Sequence, residues 1–196
     1  AGHVMTVLRK SGVQRAHLVG SSFGGLVALE MWRQWPLAFS AVTLVGSLPR
    51  FTAEEGFPAG LSVPRIRKLA GQFEGDVGPV LDMFLRSLFT MKERAGEQYG
   101  EIKKLRQLAP LPRREALLAM LDILEQSDLR DLFIKVDVPL QLIAGDGDYI
   151  CPPSAVEALR AIKPSVRVDI FAGCGHFPFL SRPREFNRVL KEFAGL

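Results

Sequence analysis

Apolar positions follow two alternating rhythms along the chain. Short, nearly unbroken apolar runs occur at Ala16-His17-Leu18-Val19, Ala41-Val42-Thr43-Leu44-Val45, Pro139 to Ala144 and Val166 to Phe171. Runs of this kind suit parallel strands covered on both faces, whereas a half-exposed strand would alternate apolar and polar side chains. Helical spacing fills the intervals. Val4 to Lys10 reads as an amphipathic helix stopped near Gly12, and Gly25 to Trp35 as a second helix ending before Pro36. Strand, helix and strand in so short a span form a βαβ unit, whose crossover is expected to be right-handed.

The pattern changes after Leu48. Pro49, Gly56, Pro58, Gly60 and Pro64 predict a loop, and no convincing strand follows before Ser127. Helices are expected over 63–73, 77–91, 93–109 and 113–126, with Pro110 and Pro112 punctuating the last two. The alternation returns at Val138, with helices at 153–162 and 183–193, the latter opened by Pro183 in its first turn. The expected class is α/β: a parallel-sheet core from residues 1–48 and 128–196, interrupted by an all-helical insertion over 49–127 that would act as a cap.

Composition narrows the options. With 196 residues, 47% of them hydrophobic, the chain suits one domain with a sizeable core. No apolar run approaches the roughly 20 residues that span a bilayer, so no membrane partner is expected. The opening residues show no basic segment followed by an apolar stretch, as a secretory signal would. A net charge of +4, with neither zinc spacing nor basic residues interleaved with aromatics, points to no nucleic-acid or metal partner. Arg65-Ile66-Arg67-Lys68 and Lys103-Lys104-Leu105-Arg106 read as solvated helix faces. Cys151 and Cys174 are the two cysteines; they read as small packing residues in a reducing compartment, with cytoplasm the default.

One turn carries chemistry. Gly20-Ser21-Ser22-Phe23-Gly24 lies between a predicted strand and a predicted helix, the context of a nucleophile elbow. So tight a turn should strain the backbone at Ser22, and side chains at Gly20 and Gly24 are expected to collide with the neighbouring strand and helix. The Phe23 N–H would then point at an oxyanion formed beside the Ser22 hydroxyl. Two later segments supply partners: Asp146 and Asp148 follow one predicted strand, and His176 follows another in Gly173-Cys174-Gly175-His176. All fall at the carboxyl ends of parallel strands, where open α/β sheets gather ligands and catalytic groups. A serine hydroxyl is a poor nucleophile until an imidazole takes its proton, and a carboxylate orients that imidazole and stabilises its charged form. Either aspartate could serve; Asp146, followed by glycine, could equally be a turn former. His17, inside a strand, reads as structural.

The order Ser, Asp, His resembles that of the α/β-hydrolase superfamily. More narrowly, the chain resembles the carboxylesterases of biotin synthesis that act on pimeloyl-acyl-carrier-protein methyl ester. That likeness is carried by the run from His17 to Ala28, by Ser47-Leu48-Pro49-Arg50-Phe51, by Phe84-Leu85 near Thr90-Met91, and by Lys103-Lys104. Leu121-Asp122-Ile123-Leu124 with Asp128-Leu129-Arg130, and Gly175-His176-Phe177-Pro178-Phe179-Leu180-Ser181 with Pro183 and Glu185-Phe186, complete it. The resemblance implies Ser22 as nucleophile, Asp148 as acid (about four residues past its strand), His176 as base, Phe23 N–H as an oxyanion donor, and Phe84, Leu85 and Leu88 against the acyl chain. It implies an acyl ester substrate, acyl carrier protein as a partner, and no metal or organic cofactor. A generalist esterase or lactonase of the same fold, or a hydrolase-like binding module, are the alternatives. Two departures stand out. The family's opening strands and its His-Gly-x-Gly loop, source of a second oxyanion donor, have no counterpart before Val4, so the chain is expected to be the C-terminal part of a longer protein with a sheet edge left open at Ala16. Glu97 and Glu101 stand where the family's cap places arginines that meet the carrier, with Arg86, Arg94 and Arg106 nearby.

Overall fold

Four strands pair in the order in which they occur along the chain. The computed structural model describes residues 2–195; residues 1 and 196, the outer bounds of the expected core, lie outside them. Helix α1 (Gly2–Lys10) leads into β1 (Ala16–Ser21), α2 (Phe23–Gln34), a short 3-10 turn (Pro36–Ala38) and β2 (Phe39–Val45). Five helices follow without an intervening strand: α3 (Val63–Gln72), α4 (Val77–Ser87), α5 (Met91–Arg94), α6 (Glu97–Leu108) and α7 (Arg114–Gln126). Helix α8 (Arg130–Lys135), β3 (Leu140–Gly145), α9 (Pro153–Ile162), β4 (Arg167–Phe171), α10 (Pro178–Ser181) and α11 (Pro183–Ala194) complete the chain. The sheet is parallel throughout, in the order β1-β2-β3-β4, as the unbroken apolar runs predict.

Both faces of the sheet are covered. Val42, Leu44 and Leu142 pack with Leu29 of α2 and Leu159 of α9 on one side. Val45, Ile143 and Phe171 meet Phe186 and Val189 of α11 on the other. Thr43 and Gln141 precede Val45 and Ile143 by two residues and therefore share the α11 face. Fully buried, they can stay there only if paired. His17 Nε2 and Thr43 Oγ1 are 2.8 Å apart, Thr43 donates to Gln141 (2.9 Å), and Gln141 donates to Asp169 (2.7 Å), so one polar row crosses all four strands.

The insertion is tied shut at its neck. Leu129 N–H donates to the Pro49 carbonyl (2.8 Å), Arg50 pairs with Asp128 (3.0 Å) and Glu54 (2.7 Å), and Arg130 pairs with the same two acids. Hydrogen bonds from Arg130 are the largest cause holding the Asp128 carboxyl down at about 2. The helix expected over 77–91 ends at Ser87. Thr90 then starts α5 with a reciprocal capping box: Glu93 N–H donates to Thr90 Oγ1 (3.2 Å), and Thr90 N–H donates to Glu93 Oε2 (2.6 Å). The helix expected over 93–109 likewise restarts at Glu97, with Gly96 as its N-cap.

Candidate active site

Ser22 occupies the turn between β1 and α2 at φ 52° and ψ −124°, and it alone among the described non-glycine residues has positive φ. Such a conformation costs on the order of 1–3 kcal/mol and persists only where packing enforces it. Here Ser22 N–H donates to the Val45 carbonyl (2.8 Å), and its own carbonyl accepts from Gly25 N–H (2.9 Å). A Cβ on Gly20 would lie 2.5 Å from the Gly24 carbonyl oxygen, so glycine is required there. Gly24 differs from expectation, because nothing lies within 4 Å of a Cβ built on it. The crowded residue is Gly25, whose Cβ would fall 2.0 Å from Ser47 Oγ where α2 crosses the end of β2. Phe23 opens α2, and the first N–H of a helix has no intrahelical acceptor, which leaves it for an anion.

Asp148 and His176 come together in the interior, 3% and 1% exposed, with Asp148 Oδ2 2.7 Å from His176 Nδ1. The other carboxylate oxygen, Oδ1, accepts from Ile150 N–H (2.8 Å) and Cys151 N–H (3.2 Å), so the carboxylate is held from both sides. Asp146 does different work: its Oδ1 accepts from Gly173 N–H (2.6 Å) and braces the turn that carries His176. The imidazole lies against Gly46, where a Cβ would be 3.0 Å from Nδ1. Gly46 follows Val45, the acceptor of the Ser22 N–H, so Ser22 and His176 border the same strand end. Among the described residues the Ser22 hydroxyl makes no hydrogen bond to His176; such bonds often tighten only when substrate binds.

The Ser22 side chain borders a cavity of about 360 Å³ roofed by the insertion, with Phe51, Ile66, Phe84, Leu121, Leu124 and Ile150 among its walls. Of the three expected acyl-chain residues, Phe84 lines this space. Leu85 faces a separate groove beside Arg86, Arg94, Lys103 and Arg106, and Leu88 is buried. At the cavity wall the Tyr149 hydroxyl lies 2.7 Å from Ser87 Oγ, and the Arg65 guanidinium stacks 4.2 Å from the Tyr149 ring centre. Neither feature is visible in the sequence pattern. Cys151 and Cys174 are buried and unbridged. Burial, then the nearby Asp148 charge, pushes the Cys151 thiol well up, and burial pushes Cys174 up to about 11. Ligand atoms of Asp148, Cys151 and His176 lie within 4.8 Å of one another, but a cation there would compete with Asp148 for Nδ1. No helix among the described residues is long and apolar enough to cross a membrane.

Comparison with known proteins bears on the family and the fold. Residues 2–189 match the profile of the Alpha/beta hydrolase family. A pimeloyl-[acyl-carrier protein] methyl ester esterase of Neisseria meningitidis serogroup B is 34% identical over 178 residues, 91% of this chain and 68% of the relative. The enzyme of that name from Methylococcus capsulatus is 32% identical over 91% of this chain and 70% of its own. In three dimensions the chain superimposes on an esterase from Exiguobacterium antarcticum with a TM-score of 0.87 at 23% identity, covering 99% of this chain and 72% of that one.

Proposed function

Since the chain belongs to the alpha/beta hydrolase family, we propose that it is a serine carboxylesterase that hydrolyses the methyl ester of a pimeloyl group held on acyl carrier protein. The observation that carries the reading is a strained Ser22 at a helix N-terminus, facing an apolar cavity beside the strand end that holds the Asp148–His176 pair. Identity of 34% to a pimeloyl-[acyl-carrier protein] methyl ester esterase supports the substrate.

Ser22 Oγ attacks the ester carbonyl while His176 takes its proton. Nδ1 is committed to Asp148, so Nε2 is the nitrogen left for transfer. The oxyanion of the tetrahedral intermediate accepts from Phe23 N–H. His176 then returns the proton to the departing methoxide, methanol leaves, and the acyl group remains on Ser22. Water attacks that ester with His176 again as base, and the free carboxylate is released with Ser22 restored. The apolar walls, Phe84 among them, take the polymethylene chain, each buried methylene adding about 0.8 kcal/mol. The helical insertion is the cap over this space, and the acyl carrier protein stays outside it.

A fluorophosphonate probe should label Ser22, and the carrier-bound methyl ester should be hydrolysed much faster than p-nitrophenyl butyrate. Comparable rates on both would favour a generalist esterase, and a Ser22 never labelled in the full-length protein would end the enzyme reading. Asp148→Asn should cost roughly 10³- to 10⁴-fold in kcat, and Asp146→Asn far less; the reverse order would transfer the acid role to Asp146.

A further inference from the structure

Glu93 belongs to the helical insertion, yet its carboxylate is bonded to the segment that carries His176. Oε2 accepts from Gly175 N–H (2.9 Å), one residue before the histidine, and Oε1 accepts from the Ser181 hydroxyl, five residues after it. Thr90 N–H also donates to Oε2 (2.6 Å), which fixes the Glu93 side chain in the capping box of α5. Residues around it reach the same segment. His176 N–H donates to the Leu88 carbonyl (2.8 Å), and Thr90 Oγ1 donates to the Gly173 carbonyl (3.3 Å). The fit is close: a Cβ on Gly175 would lie 2.3 Å from the Leu88 carbonyl oxygen and 3.1 Å from Glu93 Oε2. One side chain therefore grips the histidine segment on both sides of the imidazole.

On the reading of Ser22, Asp148 and His176 given above, we propose that Glu93 is a positioning residue, through which the helical insertion sets the reach of His176 toward Ser22. Asp148 fixes the far nitrogen of the ring, but one bond to Nδ1 leaves the imidazole free to pivot about it. The backbone on either side must be held for Nε2 to meet the serine, and Glu93 supplies that hold. The same stretch continues into α4, whose Phe84 and Ser87 line the cavity beside Ser22. Packing of a substrate against α4 and placement of the base thus share one short piece of chain.

The test measures kcat and KM on the carrier-bound methyl ester, with kcat expressed per active site titrated by a fluorophosphonate. Glu93→Ala should lower kcat per titrated site roughly 10- to 100-fold, as misplacement of a catalytic group does, with KM within about twofold. Glu93→Gln keeps an oxygen for Gly175 and Thr90 and should restore kcat to within about threefold of wild type. A merely structural residue would lower the melting temperature and the number of titratable sites while leaving kcat per site unchanged. That result, in Glu93→Ala and in Glu93→Asp (one methylene short of its three donors), would overturn the proposal. Should Glu93→Ala fail to fold, Glu93→Asp carries the same expectation. A wild-type protein that is never labelled would overturn the esterase reading with it, whereas an active wild type matched per site by both variants removes only the role of Glu93.

Discussion

Replacing Gly46 with alanine tests whether the histidine is placed by the strand end beneath it. Gly46 sits just past β2 at φ 52°, and a Cβ there would lie 2.8 Å from the His176 carbonyl oxygen, 3.0 Å from Nδ1 and 3.1 Å from Cε1. Holding alanine in the left-handed region costs about 1–2 kcal/mol. The poorer entropy of its unfolded chain returns about 0.4–1 kcal/mol. Overpacking against a rigid partner adds about 1–3 kcal/mol, and the His176 carbonyl is such a partner because its segment is bonded to Leu88 and Glu93. The net cost, about 1–5 kcal/mol and centred near 3, lowers the melting temperature by about 6–12 °C at its centre in a domain of this size. The ring can escape only by tilting about half an ångström off its bond to Asp148, which should lower kcat about tenfold and leave KM nearly unchanged. Both are measured on purified protein, the kinetics well below the melting transition of the variant. A melting temperature within about 1 °C of wild type, with kcat intact, would show that the strand end does not constrain the histidine.

Two further substitutions probe the frame. Gly25→Ala drives a Cβ to 2.0 Å from Ser47 Oγ and should cost about 3 kcal/mol in urea unfolding. Adding Ser47→Gly removes the opposing side chain and should recover most of that loss; a double variant no more stable than Gly25→Ala would contradict the contact. Burial lowers the affinity of His17 for a proton from the usual 6.5, so the folded state binds that proton less well than the unfolded chain. Its stabilising share is therefore complete above 6.5 and is lost as pH falls through that value toward the folded one. Urea midpoints at about pH 7.5 and about pH 5 should diverge more for wild type than for His17→Gln; equal divergence would remove His17 as the group responsible.

Features carried by local pattern were readable before the fold was known. Unbroken apolar runs marked the strands because a doubly covered parallel sheet hides every side chain of its central members, and β3 is buried along its whole length. The elbow was readable because the strain at Ser22 needs small neighbours in the sequence itself. The motif marks Gly24 as crowded and says nothing of Gly25, because the collision at Gly25 is with Ser47, a contact between α2 and the chain beyond β2 that no spacing encodes. The break in the helix expected over 77–91 had a local signal, the Thr90-Met91-Lys92-Glu93 capping box, but apolar Leu88 and Phe89 carried the helical rhythm across it. The resemblance favours Asp148 over Asp146 through its distance past the strand, while residue type does not separate them; burial and the direction of each carboxylate do.

Leu88 and Glu93 escaped sequence reasoning for a shared reason: they act across the boundary between the sheet and the insertion. Leu88 was expected to contribute its side chain to the acyl pocket, yet what it gives the site is a backbone carbonyl, bonded to the N–H of His176. Glu93 reads locally as half of a capping box, and the same oxygen that completes the box also receives Gly175 N–H. A capping box needs only one helix, so nothing near Glu93 in the sequence announces its second partner. The consequence is asymmetric. Ser22 is placed by its own strand, turn and helix, and its geometry follows from β1, α2 and the Val45 carbonyl. His176 rides on a turn that leaves β4 and ends in α10, and it depends on Gly46 beneath it and on residues 88–93 beside it. Substitutions in the insertion, far along the chain from all three catalytic candidates, should therefore disturb the base well before they disturb the nucleophile.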